Sequence, residues 1–216
     1  MKKAFFGGSF DPPHGGHLGV ARAAIASGKC DEVVWFPGYT PPHKLSARRA
    51  PFEDRMNMIR LLIKNEPEMK VSDFENRIRL SPSYTIDVLK CLEKETGEKF
   101  SLLIGADSLL SLHTWHEAAE LVEYIDLITY PRDGFEVIPE KLTPHWDTKT
   151  VKKLLKSMIP GTFFKISSTE MKISMEKNGF RHHIIKMEDF PPEIAEYIRE
   201  HRLYQCAATD HGKGIL

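Results

Sequence analysis

Residues 4–24 read AFFGGSFDPPHGGHLGVARAA: an apolar burst, then glycines and prolines, then His14 and His17, then a run of helical character. A short strand feeding through a Gly/Pro loop into a helix is the opening unit of a parallel α/β sheet. Ligands of such sheets gather outside the carboxyl ends of the strands, where free amides and the helix dipole favour an anion. Gly7 and Gly8 leave the end of the strand bare, and Pro12 and Pro13 stiffen the connection to the helix. With a helix starting near Gly16, the two imidazoles face one pocket, and each can donate a hydrogen bond to a phosphate oxygen. The loop lacks the Gly-Lys-Ser/Thr ending of a P-loop and the three spaced glycines of the dinucleotide fingerprint, so the histidines carry its chemistry.

The same alternation continues along the chain. Strands are expected at KAFF (3–6), EVVWFP (32–37), KVSDFE (70–75), KFSLLIGAD (99–107), DLITYP (126–131) and TFFKI (162–166). Helical periodicity lies between them, at 17–27, 51–65, 83–97, 147–158 and 167–179, and closes the chain at 191–204 with a proline in its first turn. Gly28 and Gly97 stand where left-handed helix caps belong. The expected architecture is α/β: a Rossmann-like doubly wound parallel sheet with helices on both faces and a small C-terminal helical part. Residues 1–204 are expected to form one domain and 205–216 a tail without periodic signal.

Thirty basic residues face thirty acidic ones, so no global positive field recruits nucleic acid. A local basic cluster remains sufficient for a small anion. Three widely separated cysteines, Cys30, Cys91 and Cys206, show no metal-ligand spacing and suit a reducing compartment as inert thiols. The opening MKKAFFGG is too short for a signal peptide and no run is long enough to cross a bilayer, so the expected location is cytoplasmic, with no membrane partner. A zinc site at His14 and His17 would need further ligands that no spacing supplies, and no protein-held metal is expected.

The loop GGSFDPPHGGH resembles the signature of the nucleotidyltransferase superfamily, in which histidine, any residue, glycine and histidine close the first loop. Further matches come in order: PPHK (41–44), SPSYTIDVL (81–89), IGADSLLSLHTWHE (104–117), ISSTEMK (166–172) and IAEYIREHRLY (194–204). Together they resemble the bacterial nicotinate mononucleotide adenylyltransferases over nearly the whole chain. The resemblance implies attack by the nicotinate mononucleotide phosphate on the α-phosphorus of ATP, with Mg²⁺ carried by ATP. It implies His14 and His17 as catalytic contacts to the ATP phosphates, and ATP binding by Gly7, Gly8, Ser9, Phe10, Gly105, Asp107, Ile166, Ser167, Ser168, Thr169 and Lys172. It implies acceptor binding by His43, Lys44, Arg55, Tyr84, Thr85, Trp115 and His116. Trp115 would stack on the pyridine ring, and backbone amides near Thr85 and His116 would hold its carboxylate. Independently of the family, Ser167 and Glu170 have the spacing of a capping box and predict a helix start. Lys172 stands where the family has arginine, keeping charge without the two-pronged geometry.

Two other readings stay open. One is a related transferase, with nicotinamide mononucleotide as the hardest acceptor to separate, since it differs only by an amide for a carboxylate. The other is a nucleotide sensor of the same fold with weak catalysis. The partners expected are ATP and nicotinate mononucleotide, with homo-oligomerisation undecided by the sequence.

Overall fold

The computed structural model describes residues 1–39, 49–161, 168 and 191–204. Among the described residues five strands form one parallel sheet: β1 (Lys3–Gly8), β2 (Glu32–Pro37), β3 (Met69–Val71), β4 (Phe100–Gly105) and β5 (Leu127–Tyr130). Their order across the sheet is β3-β2-β1-β4-β5. The chain therefore winds one way from β1 through β2 to β3, then returns to lay β4 on the other side of β1. The crevice between β1 and β4 is the topological switch point, where neighbouring loops diverge and leave room for a ligand.

Alternation along the strands sorts the core into two layers. Ala4 and Phe6, Val33 and Trp35, Leu103 and Ile128 face one side. Phe5, Val34 and Phe36, Leu102 and Ile104, and Leu127 face the other. Helices α1 (Gly15–Ala26) and α2 (Phe52–Leu62) cover the first side. The second carries α3 (Phe74–Ile78), α4 (Thr85–Thr96), α5 (Ala106–Leu110), α6 (Ala118–Tyr124) and α8 (Thr148–Ser157), with the single turn α7 (Pro139–Leu142) beside α8. The expected doubly wound sheet with helices on both faces is the one that forms. The C-terminal helix, α9 (Pro192–Glu200), is fused into the first layer, its Ile194 and Ile198 fully buried.

Three of the boundaries that differ from the sequence reading bear on the site. β1 runs through Gly7 and Gly8, which pair with Phe36 and Pro37, so the loop starts at Ser9. β3 stops at Val71 because the Phe74 amide donates to Ser72 Oγ (3.2 Å), turning the chain out of the ladder into α3. Residues 106–107 belong to α5 rather than to β4. Gly28 and Gly97 adopt φ of +70° and +69°, as their cap positions require. The expected strand at 162–166, most of the helix at 167–179 and the tail lie outside the described residues. Ahead of them, the Ile159 amide donates to the Thr129 carbonyl (2.9 Å), so the chain leaves α8 running beside β5.

Candidate active site

The loop after β1 is held from beneath before it can present anything. Phe10 takes a left-handed φ of +46°, costly for a residue with a side chain, and this turns its ring into the core against Phe6, Trp35 and His17. A Cβ on Gly8 would strike that ring at 2.9 Å, and one on Gly7 would strike Phe5 at 2.8 Å. The two glycines thus admit their own neighbours' rings where a Cβ would strike them. Phe10, expected at the nucleotide, has a side chain only 2% exposed. Asp11 is equally buried, its Oδ1 accepting from the Ala50 amide (3.1 Å) and the Tyr204 hydroxyl (2.6 Å).

Arg55 requires a correction. Expected at the substrate, it is 2% exposed and donates to three carbonyls: Ala50 (3.3 Å), Ser9 (2.8 Å) and Gly38 (2.9 Å). A guanidinium offers five donors in a fixed fork, and here the fork ties the loops after β1 and β2 to the start of α2. Its described donors are turned into the protein, so it positions the site from below. His43 and Lys44, the other residues expected beside it, lie outside the described residues.

His14 is the N-cap of α1 and His17 sits in its first turn, with ring centroids 3.7 Å apart and planes inclined by 34°. The His14 amide donates to His17 Nδ1 (3.3 Å). That bond marks Nδ1 as the acceptor, which leaves Nε2–H as the free donor of a neutral His17. A reverse approach of His14 to the His17 amide resembles a capping box, but His14 Nδ1 has no partner at hydrogen-bond geometry although it is buried. Burial lowers His14 to about 4, and the Arg132 guanidinium adds to the effect. Burial, then His14, then Arg132 hold His17 well below the ordinary imidazole range. At neutral pH the pair is uncharged. Ser168 donates to the Pro12 carbonyl (3.0 Å), which sets this one residue against the histidine loop. Ile166, Ser167, Thr169 and Lys172 lie outside the described residues.

Across the switch point, Asp107 stands in the first turn of α5. Its Oδ2 accepts from Arg132 Nη1 (2.8 Å), while Oδ1 is buried without a partner. A Cβ at Gly105 would land inside van der Waals contact with Asp107 Oδ1 and 3.0 Å from the Tyr130 hydroxyl. Glycine is needed there so that carboxylate and phenol can close over the end of β4. An orphaned acceptor on the β4 loop and an orphaned ring nitrogen on the β1 loop are the chemical mark of this crevice. Each costs free energy while it stays without a partner, so the crevice favours whatever ligand can supply one.

The expected acceptor residues come together in part. Tyr84, the N-cap of α4, stacks on His116 with centroids 4.1 Å apart and planes 21° from parallel. Thr85 opens α4, and no side chain caps the amides there, so the helix end can receive a carboxylate. Trp115 is half-buried against the second core layer, which gives its indole a structural task beside the expected stacking. Glu75 was not anticipated. Its buried Oε2 accepts from Ser83 Oγ (2.8 Å) and the Tyr39 amide (3.3 Å), and burial pushes its carboxyl pKa up. Among the described residues no group of three or more His, Cys, Asp or Glu could hold a metal ion.

This architecture has relatives among known proteins. The cytidylyltransferase-like family model matches residues 5–174. A probable nicotinate-nucleotide adenylyltransferase of Desulfotalea psychrophila is 33% identical over 94% of the chain and all of its own length. Its Bacillus pumilus counterpart is 32% identical over 95% and 100%. The Dehalococcoides mccartyi protein of the same name is 34% identical over 94% and 97%. Among solved structures, the Plasmodium falciparum nicotinic acid mononucleotide adenylyltransferase complexed with NaAD superposes with a TM-score of 0.72. It covers 94% of this chain and 98% of its own at 24% identity, which speaks to the fold. The same enzyme complexed with APC gives 0.70.

Proposed function

The chain belongs to the cytidylyltransferase-like family and, within it, to the nicotinate-nucleotide adenylyltransferases, and from that premise we infer what its crevice does. It transfers AMP from ATP to nicotinate mononucleotide, giving nicotinate adenine dinucleotide and pyrophosphate, in NAD biosynthesis. The acceptor phosphate oxygen is already an anion at neutral pH and attacks the α-phosphorus. The bond to the bridging oxygen of the β-phosphate breaks, and that oxygen keeps the electron pair. No protein nucleophile is required, so catalysis rests on positioning and on stabilising charge.

The observation that carries this reading is the pair of unpartnered buried atoms, His14 Nδ1 and Asp107 Oδ1, on the loops that flank the switch point. His17 Nε2–H and the His14 ring would donate to phosphate oxygens at the amino terminus of α1, and Asp107 Oδ1 would accept from a ribose hydroxyl. Gly7, Gly8 and Ser9 would meet the nucleotide through backbone, and Ser168 with its neighbours 166–169 and Lys172 would cradle the outer phosphates. The amides at Thr85 would take the pyridine carboxylate, with Tyr84, Trp115 and His116 bounding the ring, while His43 and Lys44 would face the acceptor phosphate. Mg²⁺ would arrive on the triphosphate, ligated by phosphate oxygens and water, and neutralise the departing pyrophosphate. One domain over 1–204, ending before a tail, and a cytoplasmic location complete the proposal. Among the described residues no helix is long and apolar enough to cross a membrane.

The test is pyrophosphate release from ATP with nicotinate or nicotinamide mononucleotide as acceptor. A carboxylate on uncapped helix amides should give at least ~10-fold higher kcat/KM for the nicotinate form, since an amide leaves that anion site without its charge. Equal rates would assign the enzyme to the broader class, and no release with either would make the crevice a binding site alone.

A further inference from the structure

Two neutral imidazoles give the phosphate loop donors without charge, yet negative charge grows on the bridging oxygen as pyrophosphate leaves. Arg132 lies two residues beyond β5, and because β4 separates β1 from β5, the loops bearing His14, Asp107 and Arg132 succeed one another along the same edge of the sheet. One nitrogen of its guanidinium is fixed by Asp107 Oδ2 at 2.8 Å. The side chain is 43% exposed, and its charge is felt by both imidazoles. An isolated ion pair this exposed contributes little to stability. Asp107 is thus better explained as aiming Arg132 than as gaining stability from it.

We propose that Arg132 is a substrate-contacting residue whose guanidinium, aimed by Asp107, grips the triphosphate beside His14 and His17 and neutralises the departing pyrophosphate. The role rests on the adenylyltransferase reading and deepens it. Arginine stays protonated throughout, so it supplies at every working pH the charge the histidines lack. The titratable groups around it are His14 and His17 of α1, Asp107 of α5 and Tyr130 of β5, whose hydroxyl pKa burial raises and Arg132 lowers.

Arg132→Gln and Arg132→Lys in the full chain test the role through three readouts: turnover, calorimetric binding of ATP and of inorganic tripolyphosphate, and ligand-free titration of His14 by NMR. Loss of a preorganised contact to transition-state charge should lower kcat of the glutamine variant by ~10²-fold. The lysine variant should recover part of it, keeping charge without the fork. Without the guanidinium the His14 midpoint should rise above its value of about 4, and in the lysine variant it should stay near it. Wild-type kcat in Arg132→Gln overturns the role. If the wild type releases no pyrophosphate, the reaction reading fails while the Arg132 contact is still judged. Tripolyphosphate binding that weakens in the glutamine variant supports the contact, and equal binding refutes it.

Discussion

The two ends of the sheet make an instructive pair. A cavity of about 960 Å³ opens at the amino ends of β1, β4 and β5 and is rich in lysine. Three of its lysines are already engaged: Lys29 donates to the Lys156 carbonyl (2.6 Å), Lys153 to the Val122 carbonyl (2.7 Å), and Lys3 pairs with Glu98 (2.5 Å). These cations lie where helices end and carbonyls point outward, the arrangement that helix dipoles favour in any parallel α/β protein. The carboxyl end offers helix amino termini without side-chain caps on α4 and α5, and buried His14 Nδ1 and Asp107 Oδ1 without partners. Unmet hydrogen-bonding capacity, rather than volume, separates a site from a groove.

The contrast between the two ends is put at greatest risk by His17→Ala. Removing a donor from the phosphate pair should lower kcat by on the order of 10²–10³. The same change deletes an acceptor for the His14 amide, a capping loss of ~1 kcal/mol that leaves the protein folded. Steady-state pyrophosphate release with a parallel thermal melt separates the two effects. Wild-type turnover in a folded variant would remove the carboxyl end's claim to the chemistry.

Next in size is the pH dependence of stability. His14 titrates near 4 in the fold against an ordinary 6.5, so above 6.5 it is neutral in both states and contributes no slope. Between those values the unfolded chain takes up a proton that the folded one refuses, and stability falls as pH falls. At about 1.4 kcal/mol per pH unit, the loss approaches ~3 kcal/mol by pH 4, and His17 adds in the same direction. Urea unfolding of wild type and His14→Gln at pH 7 and pH 5 should show a shallower decline in the variant. ATP opposes the trend, because a bound polyanion raises imidazole pKa values. Binding near pH 5.5 should therefore take up protons, read as a buffer-dependent enthalpy.

Tyr204→Phe probes how the site is held rather than what it does. The variant takes a donor from the buried Asp11 carboxylate three residues before His14. Lost bonds to charged groups cost ~1.5–3 kcal/mol, and a chain of this size loses ~2–4 °C of Tm per kcal/mol. The melt should drop accordingly and kcat should fall a few-fold, with the KM for nicotinate mononucleotide unchanged. An unchanged melt would mean that the turn after the C-terminal helix does not brace the phosphate loop.

Tyr204 also shows where sequence reasoning runs out. β2 was legible to the residue because a fully buried strand of a parallel sheet is a continuous apolar run bounded by proline and glycine. The histidine loop was legible because residue type and spacing are local. Arg55 was misassigned because nothing local reveals that the carbonyls of Ser9, Gly38 and Ala50 converge on it. Arg132 was missed for the same reason: its meaning comes from Asp107, which only the pairing of β4 with β5 brings near. The proline and glycine flanking it in YPRDG mark a strand-end loop, the one local signal that could have raised it. Phe10 was placed at the nucleotide by the resemblance alone, and a left-handed backbone turns its ring inward.

The smallest expected effect belongs to the amino end. Lys29→Ala removes a bond to the Lys156 carbonyl and relieves an ammonium whose pKa is lowered by burial and by Lys156. Those contributions oppose each other, and half-exposed sites of this kind change stability by about 0.5 kcal/mol or less. Turnover should stay within about twofold of wild type, since that edge lies at the amino ends of the strands, opposite the loops that bear His14 and Asp107, and the exposed charges are screened over ~10 Å of solvent at ordinary salt. A tenfold loss of turnover in a folded Lys29→Ala would make the lysine-rich groove a second functional surface, and the contrast between the two ends would then rest on which anion each receives.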